Sequence, residues 1–562
     1  MKTASYVCGS SARPLWYLTV GDVLSRAATL WPRHEALVVP HQNLRFTFQE
    51  LDARVSALAR ALLAQGLEPG DRVGIWSPNN AEWVLTQFAT ARAGLILVNI
   101  NPAYRQIELG DALRRVGCRM LIMTTAFKTS NYVQTVKTLL GDAGFSGTGR
   151  VASAAFPDLG RLVHLGADPV EGMLSFADLL AGAAQIPEET LAAVSRQLDP
   201  DQPINIQFTS GTTGVPKGAT LTHFNIVNNG YSTGEGMQLV PGDRLCVPVP
   251  LYHCFGMVLG VLAAVTHGAA VVLAGASFDA EVVLETVMRE RCTALHGVPT
   301  MFIAELAHPR FQEFDLSSLR TGIMAGAPCP IAVMRRVVEE MHMRQLTICY
   351  GMTETSPVSF QSAVEDPVEK RVTTVGRIHP HIQAKIIDAA GRVVPRGSPG
   401  ELCVRGYSVM RGYWDDPSGT EAVVDVGGWM HTGDLAVLDE EGFCNIVGRV
   451  KDVIIRGGEN IYPREIEEFL YRHPAVQEVA VVGVADRKYG EEICAVIRLR
   501  AGLNSDPEAI RAFCRDQIAH YKIPRYVVFQ PTFPTTVTGK IRKIELRQQM
   551  EALLALESEP TA

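Results

Sequence analysis

The sequence predicts an α/β protein: a large N-terminal part of parallel, helix-covered sheets with a small antiparallel, β-barrel-like unit, then a small α+β C-terminal domain. Three observations lead there. Helical and strand patterns alternate through roughly the first 370 residues, as in parallel sheets covered by helices. From about Arg377 short strands are separated by Gly/Pro/Asp turns. After Gly448 about 110 residues of compact α+β texture remain, enough for a domain of their own. The boundary is therefore expected between 1–448 and 449–562.

The elements follow from local chemistry. Thr47-Phe48-Gln49-Glu50 is a capping box, and Leu51, Val55, Leu58 and Leu62 then recur on one helical face. Gly66 closes that helix, Pro69-Gly70-Asp71 turns the chain and Arg72–Trp76 reads as a strand. A helix over Glu82–Ala93 and a strand over Leu95–Asn99 come next. Similar strands are expected at Arg244–Val249, Ala270–Leu273, Thr293–His296, Leu319–Ala325 and Leu346–Tyr350. Short strands at Ala384–Ile387, Glu401–Arg405 and Asn445–Val447 make the antiparallel unit. Beyond it come helices around Pro463–Tyr471 and Pro507–Ile518, with strands at Val479–Val484 and Ile493–Leu499.

Composition excludes several function classes. With 562 residues the chain is too long for one core, and 47% hydrophobic with 20% charged residues is an ordinary globular balance. The net charge of −7, with dispersed basic residues, argues against a nucleic-acid surface or a polybasic membrane patch. Eleven scattered cysteines, without a C-x-x-C pair, fit reduced thiols of a cytoplasmic protein. The opening MKTASYVCGSSARPLW lacks the apolar run of a signal peptide, although its serines and few acids are compatible with an organellar transit segment. The apolar stretch Leu259–Ala276 is broken by Thr266-His267-Gly268, so it reads as buried helix, turn and strand, with no transmembrane segment.

The chemistry concentrates in a few motifs. Thr209-Ser210-Gly211-Thr212-Thr213-Gly214-Val215-Pro216-Lys217-Gly218 follows the strand Ile204–Phe208. Its glycines let backbone approach an anion, its hydroxyls and N–H groups donate to phosphate oxygens, and Lys217 adds positive charge. The spacing is not that of a Walker loop, because Gly218 stands where a Ser/Thr would hold Mg²⁺. Tyr350-Gly351-Met352-Thr353-Glu354-Thr355 and Gly326-Ala327-Pro328 each follow a buried strand, where open α/β sheets bind ligands. Thr432-Gly433-Asp434, Gly448-Arg449-Val450-Lys451-Asp452, Gly457-Gly458-Glu459-Asn460-Ile461-Tyr462-Pro463 and Thr538-Gly539-Lys540-Ile541-Arg542-Lys543 complete the series.

In this order the motifs resemble the adenylate-forming superfamily of acyl-CoA synthetases, luciferases and peptide-synthetase adenylation domains. The resemblance implies an ATP-dependent acid–CoA ligase with ATP, Mg²⁺ and coenzyme A as co-substrates or cofactors, a mobile C-terminal domain and no carrier domain. It assigns Thr209 to Gly214 and Lys217 to phosphate, Gly326-Ala327-Pro328 and Tyr350 to adenine, Thr353 to the α-phosphate and Glu354 to Mg²⁺. Asp434 would take the ribose hydroxyls, Arg449 ribose or phosphate, Lys451 the hinge, Gly458 the pantetheine tunnel and Lys540 the adenylation step. His253, in Pro250-Leu251-Tyr252-His253-Cys254-Phe255-Gly256, resembles a segment lining the acyl pocket, either as a packed ring or as a gate. Gly351 stands where acetate-specific relatives carry tryptophan, which implies a deeper pocket. The Tyr252–Met257 and Gly458–Pro463 segments look most like ligases for medium-chain fatty acids.

Two spellings mislead. Gly230-Tyr231-Ser232-Thr233-Gly234 matches the serine-hydrolase elbow, but its context reads as the helix after the phosphate loop. No H-E-x-x-H or similar metal-ligand spacing occurs. Competing expectations are an adenylation enzyme loading an aryl or branched acid or a carrier protein, a luciferase-like oxygenase, and a non-catalytic acyl- or nucleotide-binding relative. The expected partners are small molecules, namely the acid, ATP and CoA, with a homodimer as the assembly considered.

Overall fold

The computed structural model describes residues 3–141, 145–146, 149–209, 216–327, 329–457, 459–515, 517–535 and 541–554. Two helix-covered sheets form the bulk of it. The first sheet is parallel through Arg72–Trp76, Ile96–Asn99, Met120–Met123, Arg161–His164 and Pro203–Thr209. Its antiparallel edge is built from Lys217–Thr222 and Gly412–Tyr413. The second sheet runs parallel through Glu35–Val39, Ala270–Val272, Arg244–Cys246, Ala294–Gly297, Thr321–Ala325 and Gln345–Gly351. Val358–Gln361 and Arg377–Ile378 close one side of it antiparallel.

The local signals read from the sequence do form. Thr47 Oγ1 accepts from the Glu50 N–H at 3.3 Å, and Glu50 answers the Thr47 N–H at 2.8 Å. The helix they start, Phe48–Ala64, buries Leu51, Val55, Leu58 and Leu62 completely. Each such leucine contributes roughly 1.5–3 kcal/mol of burial. The Gly230–Gly234 segment lies inside the helix His223–Gly236, so the hydrolase elbow does not exist. The apolar stretch resolves into a π-helix Phe255–Leu262, a short helix Ala263–Thr266, a turn at Gly268 and the strand Ala270–Val272. Among the described residues no helix is long and apolar enough to cross a membrane.

The antiparallel unit is a five-stranded sheet in the order Tyr6–Cys8, Ile382–Ile387, Gly400–Gly406, Met430–Leu438 and Cys444–Arg449. Its first strand comes from the opening segment that the sequence leaves compatible with a removable leader. Tyr6, Val7 and Cys8 pair with Lys385, Ala384 and Gln383. A three-residue strand is too short to show periodicity, which is why sequence alone does not find it. After a 3₁₀ turn at Val450–Asp452 the C-terminal sheet begins, with Ile454–Arg456, Glu459–Ile461, Val476–Asp486, Gly490–Leu499 and Tyr526–Phe529. The helix Pro463–Leu470 packs on one face of it and also reaches back, Arg464 donating to the Ile446 carbonyl at 2.7 Å.

Several buried ionisable groups set the acid stability of this core. Burial holds His223 and His379 down to about 3 and His296 down to about 4. Burial also lifts the Glu305 carboxyl to about 8. The imidazoles stay neutral in the fold but take up protons on unfolding below about pH 6.5, so their contribution is lost as pH falls. Glu305 acts oppositely, favouring the fold below its unfolded value and losing that contribution as pH rises toward 8. Three groups outweigh one below pH 6.5. The melting temperature is therefore expected to fall from pH 6.5 to pH 5, by the equivalent of up to about 3 kcal/mol per unit. Thermal scans across that range check it, and a flat profile would contradict the assignment.

Candidate active site

The site lies where the C-terminal ends of both parallel sheets meet the segment Tyr407–Trp414. Strand Gln345–Gly351 delivers Tyr350, and a tight turn presents Thr353 and Glu354, both buried. This turn is laced to the first sheet through backbone. Met410 N–H donates to the Glu354 carbonyl at 2.9 Å, Arg411 N–H to the Thr220 carbonyl at 3.0 Å, and Trp414 N–H to the Gly218 carbonyl at 2.7 Å. Ser356 adds a hydroxyl bond to the Ser408 carbonyl at 2.6 Å.

Tyr413, on this same segment, donates its phenol proton to Glu354 Oε1 at 2.9 Å. Lys217 begins the neighbouring strand, with its ammonium 4.7 Å from the Tyr413 ring centre and 4.0 Å from Asp416 Oδ2. A carboxylate, a phenol and a lysine thus stand in line beside Thr209, the last residue described before the hydroxyl/glycine loop. The Tyr413 bond takes one lone pair of Oε1, so the carboxylate keeps acceptor capacity for a cation. A buried carboxylate with that capacity fits Mg²⁺ arriving with a nucleotide.

The second cluster is built on Asp434. Tyr350 donates to its Oδ2 at 2.6 Å and Arg449 Nε donates to its Oδ1 at 3.1 Å. Burial and the adjacent carboxylate push the Tyr350 phenol well above its ordinary value, so it remains a donor. The bond fixes the ring next to the turn at Gly326, where φ is +90° and glycine is required. Ala327 follows it in the same turn. Lys451 lies exposed two residues beyond Arg449, in the 3₁₀ turn between the antiparallel sheet and the C-terminal sheet.

Gly351 has a reason the sequence reading lacks. A Cβ placed there would lie 1.7 Å from the Pro357 carbonyl oxygen and 3.0 Å from the Val358 Cα. The close approach of the return strand, at a register shift between Tyr350 and Gly351, leaves no room for a Cβ in this backbone. Its glycine is therefore a backbone requirement, and pocket depth cannot be inferred from it alone.

Behind the site runs a buried polar ladder that the motifs do not include. Asn205 donates to Asn99 Oδ1 at 2.9 Å, Gln207 to Asn205 Oδ1 at 2.8 Å, and Cys254 to Gln207 Oε1 at 3.1 Å. Met257 sulfur receives Asn99 at 3.1 Å and Gln207 at 3.0 Å. The ladder ties the strand before the phosphate loop to the π-helix. His253 sits at the start of that helix, its Nδ1 accepting from the Phe255 N–H at 3.3 Å, with its ring edge-on to Tyr252. Burial lifts the Cys254 thiol to about 12, so it packs as a thiol and is no nucleophile. The available signal was Asn205 and Gln207 alternating through an otherwise apolar strand. Tyr413 and Asp416 had no local signal beyond the dipeptide Tyr413-Trp414.

Ser210, Gly211, Thr212, Thr213, Gly214, Pro328, Gly458 and Lys540 lie outside the described residues. Among the expected residues that are described, Glu354 and Lys217 meet at Tyr413, and Tyr350 and Arg449 meet at Asp434. The AMP-binding enzyme model matches residues 24–414 and the AMP-binding enzyme C-terminal domain model residues 465–540. The chain belongs to the AMP-binding enzyme family. Among AMP-binding enzymes it is 46% identical over 558 residues to the Bos taurus protein named medium-chain acyl-CoA ligase ACSF2, mitochondrial, covering 98% of this chain and 91% of that one. The crystal structure of the anthranilate CoA ligase AuaEII in complex with anthranoyl-AMP superposes with a TM-score of 0.85, at 27% identity, over 97% of this chain and 99% of that one. ATP-bound MatB from Rhodopseudomonas palustris gives 0.81 at 27% identity, over 95% and 100%.

Asn229, fully buried on the helix His223–Gly236, holds the parts in register. Its amide donates to the Val358 carbonyl at 2.8 Å and accepts from the Val358 N–H at 3.0 Å, as a neighbouring strand would. Asn229→Ala orphans both backbone groups, for an expected loss of about 2–4 kcal/mol. The midpoint of denaturant unfolding is the measurement. An unchanged midpoint would mean that water satisfies Val358 instead.

Proposed function

We propose that the chain is an AMP-forming acid–CoA ligase whose preferred substrate is a medium-chain fatty acid. The observation that carries the ligase reading is the superposition, over 97% of the chain, on a CoA ligase holding an acyl-adenylate, supported by the Glu354–Tyr413–Lys217 cluster and the Tyr350–Asp434 pair. The medium-chain reading is supported by the name of the 46% identical relative and by the apolar π-helix behind the site.

The chemistry needs few acid–base groups. A carboxylate oxygen attacks the α-phosphorus of ATP, and the bond to pyrophosphate breaks. The CoA sulfur then attacks the adenylate carbonyl carbon, AMP leaves with the oxygen, and the thiol proton passes to solvent. Negative charge is the difficulty in the first step, and fixed donors and cations lower its cost. Glu354 would hold Mg²⁺, whose charge offsets that of the phosphates. Thr353 would donate to the α-phosphate, while Lys217 and the Ser210–Gly214 loop would hold pyrophosphate. Tyr350 with Gly326, Ala327 and Pro328 would flank adenine, Asp434 would take the ribose hydroxyls and Arg449 would reach ribose or phosphate. His253 would line the acyl pocket and Gly458 the pantetheine tunnel.

We place the domain boundary at 448/449, at the end of the last strand of the antiparallel sheet, Cys444–Arg449, just before the 3₁₀ turn Val450–Asp452. A cytoplasmic location is supported by the cysteines, none of which forms a disulfide among the described residues. Incubation with ATP, Mg²⁺ and a panel of acids, with and without CoA, tests the function. AMP and acyl-CoA should form together and fastest with medium-chain acids. Acyl-AMP formation without CoA transfer would favour a carrier-loading enzyme, and no AMP at all would favour a binding protein.

Lys540→Ala is expected to slow adenylate formation by two to four orders of magnitude, about 3–5 kcal/mol of transition-state stabilisation. Thioester formation from supplied acyl-AMP should survive. Equal loss in both half-reactions would remove the lysine from this role.

Lys451→Pro tests the hinge. A 3₁₀ residue has φ near −60°, which proline also adopts, so the substitution suits the orientation described here and hinders others. Adenylate formation should stay near normal while thioester formation falls by a large factor, with Lys451→Ala active in both. Small and equal effects of proline on the two half-reactions would mark Lys451 as a solvated linker residue.

A further inference from the structure

The outer face of the antiparallel sheet carries a group of side chains that neither half-reaction uses. Cys403 on strand Gly400–Gly406 and His431 on strand Met430–Leu438 are directly paired across the ladder, so their side chains share a face. Glu401, two residues before Cys403, shares it as well. Leu402 and Val404 point the other way, into the main core. On the outer face Cys403 is fully buried with Ile387 beneath Trp429, while Glu401 and His431 side chains remain 27% and 34% exposed.

The distances are close enough for the three side chains to share one cation. His431 Nδ1 lies 3.1 Å from Glu401 Oε2 and 3.6 Å from Cys403 Sγ, and all three atoms fall within 4.8 Å of one another. In a tetrahedral zinc site, bonds of about 2.3 Å to sulfur and about 2.05 Å to nitrogen put those two atoms about 3.6 Å apart. An independent feature supports a ligand role for the imidazole. Asp425 Oδ2 stands 3.8 Å from His431 Nε2, on the ring's other side, too far for a hydrogen bond as it stands but where a small rotation would make it the carboxylate partner of a metal-bound histidine. Asp425 is itself held by the N–H groups of Gly427 at 2.8 Å and Trp429 at 2.9 Å. The nearby cations Lys385 and Arg405 sit over the Trp429 ring, at 4.4 and 4.6 Å. Among the described residues neither forms an ion pair with Glu401 or Asp425.

We propose that Glu401, Cys403 and His431 form a binding site for a thiophilic divalent cation of the zinc class, distinct from the Mg²⁺–nucleotide site. A thiolate, an imidazole and one carboxylate select zinc or cobalt over magnesium, which prefers oxygen ligands alone. Three protein ligands leave a fourth position to water. Coordination replaces the thiol proton, which leaves to solvent, and no electron changes hands.

The site has a structural consequence. Glu401 offers its second oxygen, Oε1, to the Gly433 N–H at 3.2 Å, and Asp434 is the next residue. A cation that fixes Glu401 also fixes the Thr432-Gly433-Asp434 turn. Zinc binding should therefore stiffen the strand that carries the ribose-side carboxylate.

Cobalt titration of the reduced full-length protein tests the proposal. A thiolate-to-cobalt absorption band should grow to one equivalent, disappear on adding zinc, and persist in excess magnesium. Zinc should also raise the melting temperature in proportion to the logarithm of its free concentration. Cys403→Ser and His431→Ala should abolish both responses, whereas Cys8→Ser, which removes the exposed thiol, should leave them intact. Metal-free melting of each variant, within a few degrees of wild type, confirms that the loss is of binding and not of folding. No band in the wild type, displacement by magnesium, or a band that survives in either well-folded variant would overturn it.

Discussion

The arrangement of the site depends on the backbone bonds of Tyr407–Trp414. This segment leaves the antiparallel sheet, passes the Glu354 turn and ends as an edge strand beside Lys217–Thr222. Three elements far apart in sequence are thereby held at backbone precision. Each bond is worth only about 0.5–1.5 kcal/mol net, but leaving its buried groups unpaired costs more. Glu354 and Lys217 can therefore keep their separation while nothing is bound, and Tyr413 inherits its position on Glu354 from the same lacing.

Asp434 plays the complementary part on the other side. Tyr350 comes from the second sheet, Asp434 from the antiparallel sheet, and Arg449 from the last residue before the interdomain turn. One carboxylate thus links the second sheet to the turn that leads into the C-terminal sheet. Arg449 is an exposed side chain, 65% accessible, so its ion pair adds little stability by itself. Its value is positional. A movement of the C-terminal sheet would pull first on Arg449, already engaged with Asp434.

What could be read from the sequence was whatever is local in the chain. The capping box at Thr47, the glycine-rich loop after a strand, and the turns at Gly326 and Tyr350 all announce themselves within ten residues. The contacts that complete the site do not. Asn229 reaches Val358, Gln207 reaches Cys254 and Tyr413 reaches Glu354 across 129, 47 and 59 positions. No periodicity encodes such pairings, because they depend on how sheets are stacked. Gly351 shows the opposite error. Its lack of a side chain looked like room for substrate, whereas the carbonyl of Pro357 already occupies the space.

The opening strand carries a consequence for biogenesis. Tyr6 pairs with Lys385, 379 positions later, so the edge of the antiparallel sheet closes only after most of the chain exists. At about 5–20 residues per second of synthesis, Tyr6–Cys8 waits roughly 20–80 seconds for its partner. Closing a loop of that length costs about 5 kcal/mol of chain entropy, which three residues of ladder recover only in part. Much of the two large sheets can thus be made before the first strand has its partner. Once made, Ile382–Ile387 presents an unpaired edge to other nascent chains until Tyr6–Cys8 docks.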